Sequence, residues 1–244
     1  MTESQVRAIE LLAGEYCFGS GTLHAHKVAD LASSLFDQLS SHGFLPGLSV
    51  SDRRTLVAAG YVHDVGSSPL ALKEIGALPP WAPPEAKGNG HHFVSFEALR
   101  TRSGDSMPTF KLHPLSAVDR STLLYSVLWN SMSGACEVGP EPLLDRERTT
   151  LLAGILRIAD ALDTRHRLMV QDVRVKKASA WIRLLVHTFD EAGAEVAQAR
   201  RRSGMLSEAL GVRIFVQEVL EQEWDLSRRM RGVSRHRRRA RAHL

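Results

Sequence analysis

Ligand-type polar residues inside apolar helical runs are costly to bury, and this chain carries four of them across three such runs. His24 lies in LHAHKVADLASSLFDQL, the adjacent His63 and Asp64 in LVAAGYVHDVG, and Asp160 in LLAGILRIADALD. An isolated buried carboxylate is tolerated only when something pairs with it, and one divalent cation would pair with all four residues at once. A bound metal also turns water into a nucleophile. The feature therefore demands a helical body in which three helices converge, and it makes a metal-dependent hydrolase the first expectation. A structural network of hydrogen-bonded polar groups is the alternative use of the same residues.

The apolar spacing predicts the elements that carry them. Residues 3–16 read as a short amphipathic helix, closed by Gly19-Ser20-Gly21-Thr22, with Thr22 as a cap for the next helix. Val28, Leu31, Leu35 and Leu39 recur at helical spacing, and His24 shares their face. Asp52 is read as the cap of a third helix that ends near Gly66 and is apolar nearly all round, hence central. Five prolines and several glycines between 67 and 90 predict an irregular excursion of the kind that forms lids or binding loops. Helices are expected from His91 to Leu99, from Ser121 to Asn130 with a break at Ser131–Gly134, and from Arg148 to Asp163. Val170, Val173 and Val175, then Trp181–Val186, then Val212–Val216 read as strands. A helix over Glu191–Leu210 lies between the last two, with Gly211 as its C′ residue.

The expected class is thus mainly α, a helical bundle over 1–168 with a β-β-α-β appendage over 169–220 and a basic tail over 221–244. Hydrophobic residues make up 43% of the 244, enough for a real core. No apolar run reaches membrane-spanning length, and the amino-terminal residues read as an amphipathic helix, not a targeting peptide. Two cysteines, Cys17 and Cys136, without metal-ligand spacing point to the reducing cytoplasm. The net charge of +4 hides an asymmetry: eight arginines lie between Arg228 and Arg241, which leaves 23 basic against 27 acidic residues elsewhere. Such a tail suits contact with a polyanion, or is simply a solvated end.

Beyond the four residues, the segments HAHKVADLASSLFDQL, AAGYVHDVG, Gly90-His91-His92 and LAGILRIADALDTRH followed by VQDVRV resemble the HD superfamily of metal-dependent phosphohydrolases. Within it they look most like the C-terminal region of the exopolyphosphatase and guanosine pentaphosphate phosphohydrolase family, over roughly residues 4–218. The resemblance implies an HD-type bundle with His24, His63, Asp64 and Asp160 on the metal positions. His91 and His92 match a histidine pair that supplies a second metal or a phosphate contact, so that Asp64, His91 and His92 form the catalytic set. Lys27, Arg165 and His166 fall near the matching helices as phosphate contacts, a role that suits arginine through paired hydrogen bonds. The mixed nitrogen and oxygen donors favour Mn, Fe, Co, Ni or Zn over Mg.

The chain departs from that family in two places. It holds no counterpart of the actin-like N-terminal domain, and it reads Leu128-Trp129-Asn130-Ser131 where the family has an Arg-Tyr-His-Arg run. The leading expectation is a phosphohydrolase acting on a phosphorylated small molecule, a nucleotide first. The alternative is a non-catalytic module that binds polyphosphate or a guanosine polyphosphate. A homodimer is compatible with the long apolar helices. Asp163 either faces the site or caps a turn, Trp129 belongs to the core, and Arg157 is a candidate partner for a carboxylate. His26 is expected to be exposed, and His113 has no evident partner.

Overall fold

The computed structural model describes residues 1–17, 20–86, 90–102, 115–130, 139–178 and 180–220. The arginine-rich tail, Cys136, His113 and the break at 131–134 lie outside the described residues. The helical body comprises α1 (Glu3–Tyr16), α2 (Ser20–Ser41), α3 (Val50–Val62), α4 (Pro69–Ile75), α5 (His91–Arg102), α6 (Ala117–Leu128) and α7 (Arg146–Ala161). After it come β1 (Val170–Lys177), β2 (Trp181–Thr188), α8 (Gly193–Arg202), α9 (Gly204–Leu210) and β3 (Arg213–Leu220). No helix among the described residues is long and apolar enough to cross a membrane.

Helix α3 packs against α1, α2, α6 and α7, the central place its apolar surface predicts. Its contact with α2 is backbone-close at Gly60, where an added Cβ would sit 2.7 Å from the Ala29 Cα. The start of α3 differs from expectation. Ser49, not Asp52, is the cap, and Asp52 is the third helical residue of a capping box, accepting from the Ser49 amide at 2.6 Å. The spare capacity of that carboxylate pairs with Arg148 of α7, which also donates to Asp119 of α6 at 2.6 Å. Thr22 likewise lies inside the first turn of α2 and does not cap it; its hydroxyl donates to the Cys17 carbonyl at 2.7 Å.

The His63-Asp64 turn is held from outside by α5. Ser95 Oγ accepts from the Gly66 amide at 2.8 Å and donates to the His63 carbonyl at 3.0 Å. An added Cβ at Gly66 would lie 2.1 Å from the His91 carbonyl, so only glycine lets the turn meet the start of α5. Part of the proline-rich stretch, expected to be irregular, is helical. Ser68 caps α4 by accepting from the Ala71 amide at 3.1 Å, with Pro69 in the first turn where no amide is needed.

The sheet has order β1-β2-β3, with β1 and β2 antiparallel and β2 and β3 parallel, so the predicted appendage is present. Its connecting helix is two helices, because the chain turns at Ser203, whose hydroxyl donates to the Arg200 carbonyl at 2.9 Å. That turn seats Leu206 of α9 against Gly154 of α7, where an added Cβ would lie 3.0 Å away. The free edge of β1 docks on α2. The Gln38 amide donates to the Val173 carbonyl at 2.7 Å and accepts from the Val175 amide at 2.9 Å, standing in for a neighbouring strand.

Gly60→Ala should destabilise the protein by about 1–3 kcal/mol, read as a lower urea midpoint with unchanged slope, because α2 and α3 must part to admit the methyl group. A variant as stable as the parent would contradict the close helix contact.

Candidate metal centre

Helix α2 contributes His24, the end of α3 contributes His63 and Asp64, and α7 contributes Asp160. Both histidine rings are buried, with 1% exposure each. Their hydrogen bonds define their tautomers. His24 Nδ1 lies 2.9 Å from Asp163 Oδ2, and His63 Nδ1 lies 2.8 Å from the Gly60 carbonyl. Both partners are acceptors, so each Nδ1 carries a proton, and each ring, when neutral, presents a lone pair at Nε2. These two Nε2 atoms face one another at 3.2 Å. Two facing lone pairs repel unless a cation or a proton lies with them.

Asp160 Oδ1 lies 3.4 Å from His24 Nε2 and 3.6 Å from His63 Nε2, and Asp64 Oδ1 lies 3.8 Å from His63 Nε2. Ligand atoms of His24, His63 and Asp64 all fall within 4.8 Å of one another. Donors held at roughly 2.1 Å from one ion stand about 3.0–3.4 Å apart, so the His–His and His–Asp160 separations suit a shared cation. The donor set fits a divalent metal in chemistry and in spacing.

Surrounding groups orient these donors. Asp163 also accepts from the Leu168 amide at 2.7 Å through Oδ1. This bond holds a loop in which His166 and Leu168 adopt left-handed backbone at φ 53° and 55°. Such residues cost energy that local contacts must offset. Here the result is His166 stacked flat on His24, with ring centroids 3.8 Å apart. Asp163 therefore both faces the site and fastens the turn. The second oxygen of Asp160 accepts from Asn130 Nδ2 at 3.1 Å and from Arg202 Nη1. Asn130 thus stands behind Asp160, on the α6 side.

The electrostatics follow from this crowding. Burial disfavours a charged His24, but hydrogen bonds to Asp160 and Asp163 outweigh it and raise its pKa to about 9. His63 is also raised, its burial outweighed by Asp64 and Asp160. Burial opposes ionisation of Asp160, yet the two histidines and Arg202 hold it well below the usual carboxylate range. His166 is lowered, by burial and then by its His24 neighbour. Burial, with Asp64 adding to it, pushes the Cys17 thiol up to about 11, so this cysteine stays protonated.

The other sequence-derived candidates separate. His91 Nε2 comes within 3.4 Å of Asp64 Oδ1 and remains 41% exposed, at the rim. His92 is buried against Phe93, at 4.3 Å between ring centroids, and its ring makes an edge contact with His91. Lys27 Nζ donates to the Gln171 carbonyl at 3.0 Å, tying α2 to β1. Arg165 is engaged away from the centre, by two bonds of 2.7 and 2.6 Å to Glu195 of α8. Trp129 is fully buried, Arg157 reaches Met205 Sδ at 3.7 Å, and His26 is near Glu10.

Arg202 escaped the sequence reading. Its signal was its place three residues after Ala199 and seven after Glu195, on the buried face of α8.

The HD domain family model matches residues 23–165, more than half of the chain, and the chain belongs to that family. HD domains bind divalent metals, and the superfamily is one of metal-dependent phosphohydrolases. Among curated proteins none matches the sequence.

Two outcomes follow from the geometry. A metal ion must displace the proton that His24 holds up to about pH 9, so affinity for Zn²⁺ should rise by about tenfold per pH unit from neutrality and level off above that pH. Competition titration with a chromophoric chelator would show the slope; a flat profile would contradict it. Asp163→Ala should weaken Zn²⁺ binding by about 10–100-fold, although Asp163 is not itself a proposed ligand, because His24 loses the partner that orients it. Unchanged affinity would remove that role.

Proposed function

We propose that this member of the HD family is a divalent-metal-dependent phosphohydrolase acting on a phosphorylated small molecule, with nucleotides the first class to test. The observation that carries the reading is the pair of Nε2 atoms facing at 3.2 Å with two carboxylates beside them, a donor set that a divalent cation would satisfy in place of the proton His24 otherwise holds. His24, His63, Asp64 and Asp160 would hold the ion. When bound, a divalent ion supplies Lewis-acid polarisation of a phosphoryl oxygen and lowers the pKa of water.

The chain's own groups divide the remaining work. Asp160 is kept ionised by the two histidines and Arg202. Asp64 and His91 stand together at the open side, where the exposed imidazole can hold or pass a proton beside the reacting phosphate. His166, stacked on His24, and Lys27, once it leaves the Gln171 carbonyl, would serve as phosphate contacts. His92 is read as a packing residue because it is buried against Phe93, and Arg165 as a strut because Glu195 holds it.

One observation favours a second reading, a module that binds polyphosphate or a guanosine polyphosphate without turnover. Asn130 stands behind Asp160 as a hydrogen-bond donor and so adds no second set of ligands. The sequence resemblance of the segments around Lys27, His63-Asp64, His91-His92 and Asp160 to the exopolyphosphatase family suggests the same ligands.

The test is metal content of the purified full chain and of Asp64→Ala, with phosphate release from nucleotides, guanosine polyphosphates and polyphosphate. The expected outcome is stoichiometric metal in the parent, and turnover that falls beyond the about 100-fold typical of indirect partners in the variant. Metal-loaded protein that binds one of these ligands without releasing phosphate would replace the hydrolase with the binding module.

A further inference from the structure

The sheet has two faces with different fates. Ile182, Leu184, Val186 and Val216 are buried in the core. The opposite face is open, and its residues are set by register: Lys176 pairs with Arg183, Arg183 with Phe215, and Trp181 with Arg213. Residues opposite one another in a ladder share a face, so these side chains form one surface across three strands.

Two features of that surface stand out chemically. Trp181 and Phe215 approach edge to face, with ring centroids 6.0 Å apart, and Phe215 is 50% exposed. The Arg183 guanidinium lies over the Trp181 ring, 4.9 Å from its centroid. Around them the charge is of one sign. Arg174, Lys176, Arg183 and Arg213 meet a single carboxylate, Asp172, which already pairs with Arg174 at 3.4 Å. A groove of about 600 Å³ runs beside the rings along β3, lined by Trp181, Arg183, Phe215 and Gln217 of the open face and by Ile214 and Val216 of the other. Arg200 closes its far side by donating to the Val216 carbonyl at 2.9 Å.

We propose that the open face of the β1-β2-β3 sheet binds single-stranded nucleic acid, with unpaired bases stacked on Phe215 and Trp181 and the phosphate backbone on Arg183, Arg213 and Lys176. Exposed aromatics stack on bases of any sequence, and interleaved cations track the backbone. A duplex hides its bases and gains only the charge. A second copy of this chain would bring the same four cations against themselves, so charge complementarity favours an anionic occupant. The strand β3 ends at Leu220, and the eight arginines from Arg228 to Arg241 follow in the sequence, so the test must separate stacking from simple charge attraction.

The experiment is fluorescence anisotropy with the full chain, using a labelled oligouridylate, the corresponding oligothymidylate and a duplex of equal length. Single strands should bind more tightly than the duplex, and a preference for the uridylate would identify RNA contacts. Phe215→Ala, which truncates an exposed ring, should weaken single-strand binding by about tenfold and leave duplex binding unchanged. Arg183→Gln should weaken single-strand binding also, in a protein whose circular dichroism is that of the parent. Equal affinity for single strand and duplex, or single-strand affinity unchanged in both variants, would overturn the proposal and leave the arginine-rich sequence as the polyanion contact. Self-association lost in Phe215→Ala, without oligonucleotide binding by the parent, would overturn it in favour of a second copy.

Discussion

Two imidazole nitrogens that face each other across 3.2 Å, and can share a proton or a cation, organise this molecule. His24 and His63 each spend the Nδ1 proton on an acceptor, Asp163 or the Gly60 carbonyl, and so turn their Nε2 atoms toward each other. Holding them there requires α2 and α3 to pack at backbone distance, which Gly60 permits against Ala29. It also requires the turn after α3 to be fixed, which Ser95 does by bridging Gly66 and His63. The centre and the helix packing are one constraint seen from two sides.

The appendage is part of that constraint. Gln38 of α2 completes the edge of β1, α9 seats Leu206 on Gly154 of α7, and α8 sends Arg202 to the far oxygen of Asp160. An arginine beside a carboxylate that would ligate a metal lowers the negative charge an ion there would have to neutralise. It also holds Oδ2, leaving Oδ1 for the histidines. A segment that looks like a separate unit in sequence thus contributes a charge to the centre of the helical body.

How much of this was legible varies with the range of the interaction. Helical periodicity marked α2, α3 and α7, and residue type marked His24, His63, Asp64 and Asp160 as polar groups in apolar runs, which the structure brings together. Capping was less legible: Ser49 and Asp52 share a capping box, and naming Asp52 alone missed which residue starts the helix. Arg165 has the chemistry of a phosphate contact, but Glu195 is buried to 1% exposure and a buried carboxylate must find a cation. The partner 30 residues away decided its role. The positions of Arg202 and Asn130 depend on the same kind of distant contact, and the left-handed turn at His166 on a local Asp163–Leu168 bond; periodicity encodes neither.

The most direct test of the central claim is a nitrogen-15 spectrum of the two imidazole rings, recorded with and without Zn²⁺ at a pH above the His24 value of about 9. The account predicts Nδ1-protonated rings in the metal-free protein, with both Nε2 resonances moving on metal addition and Nδ1 remaining protonated. Rings protonated at Nε2, or Nε2 resonances indifferent to Zn²⁺, would contradict a shared cation site and leave the four residues as a polar core network.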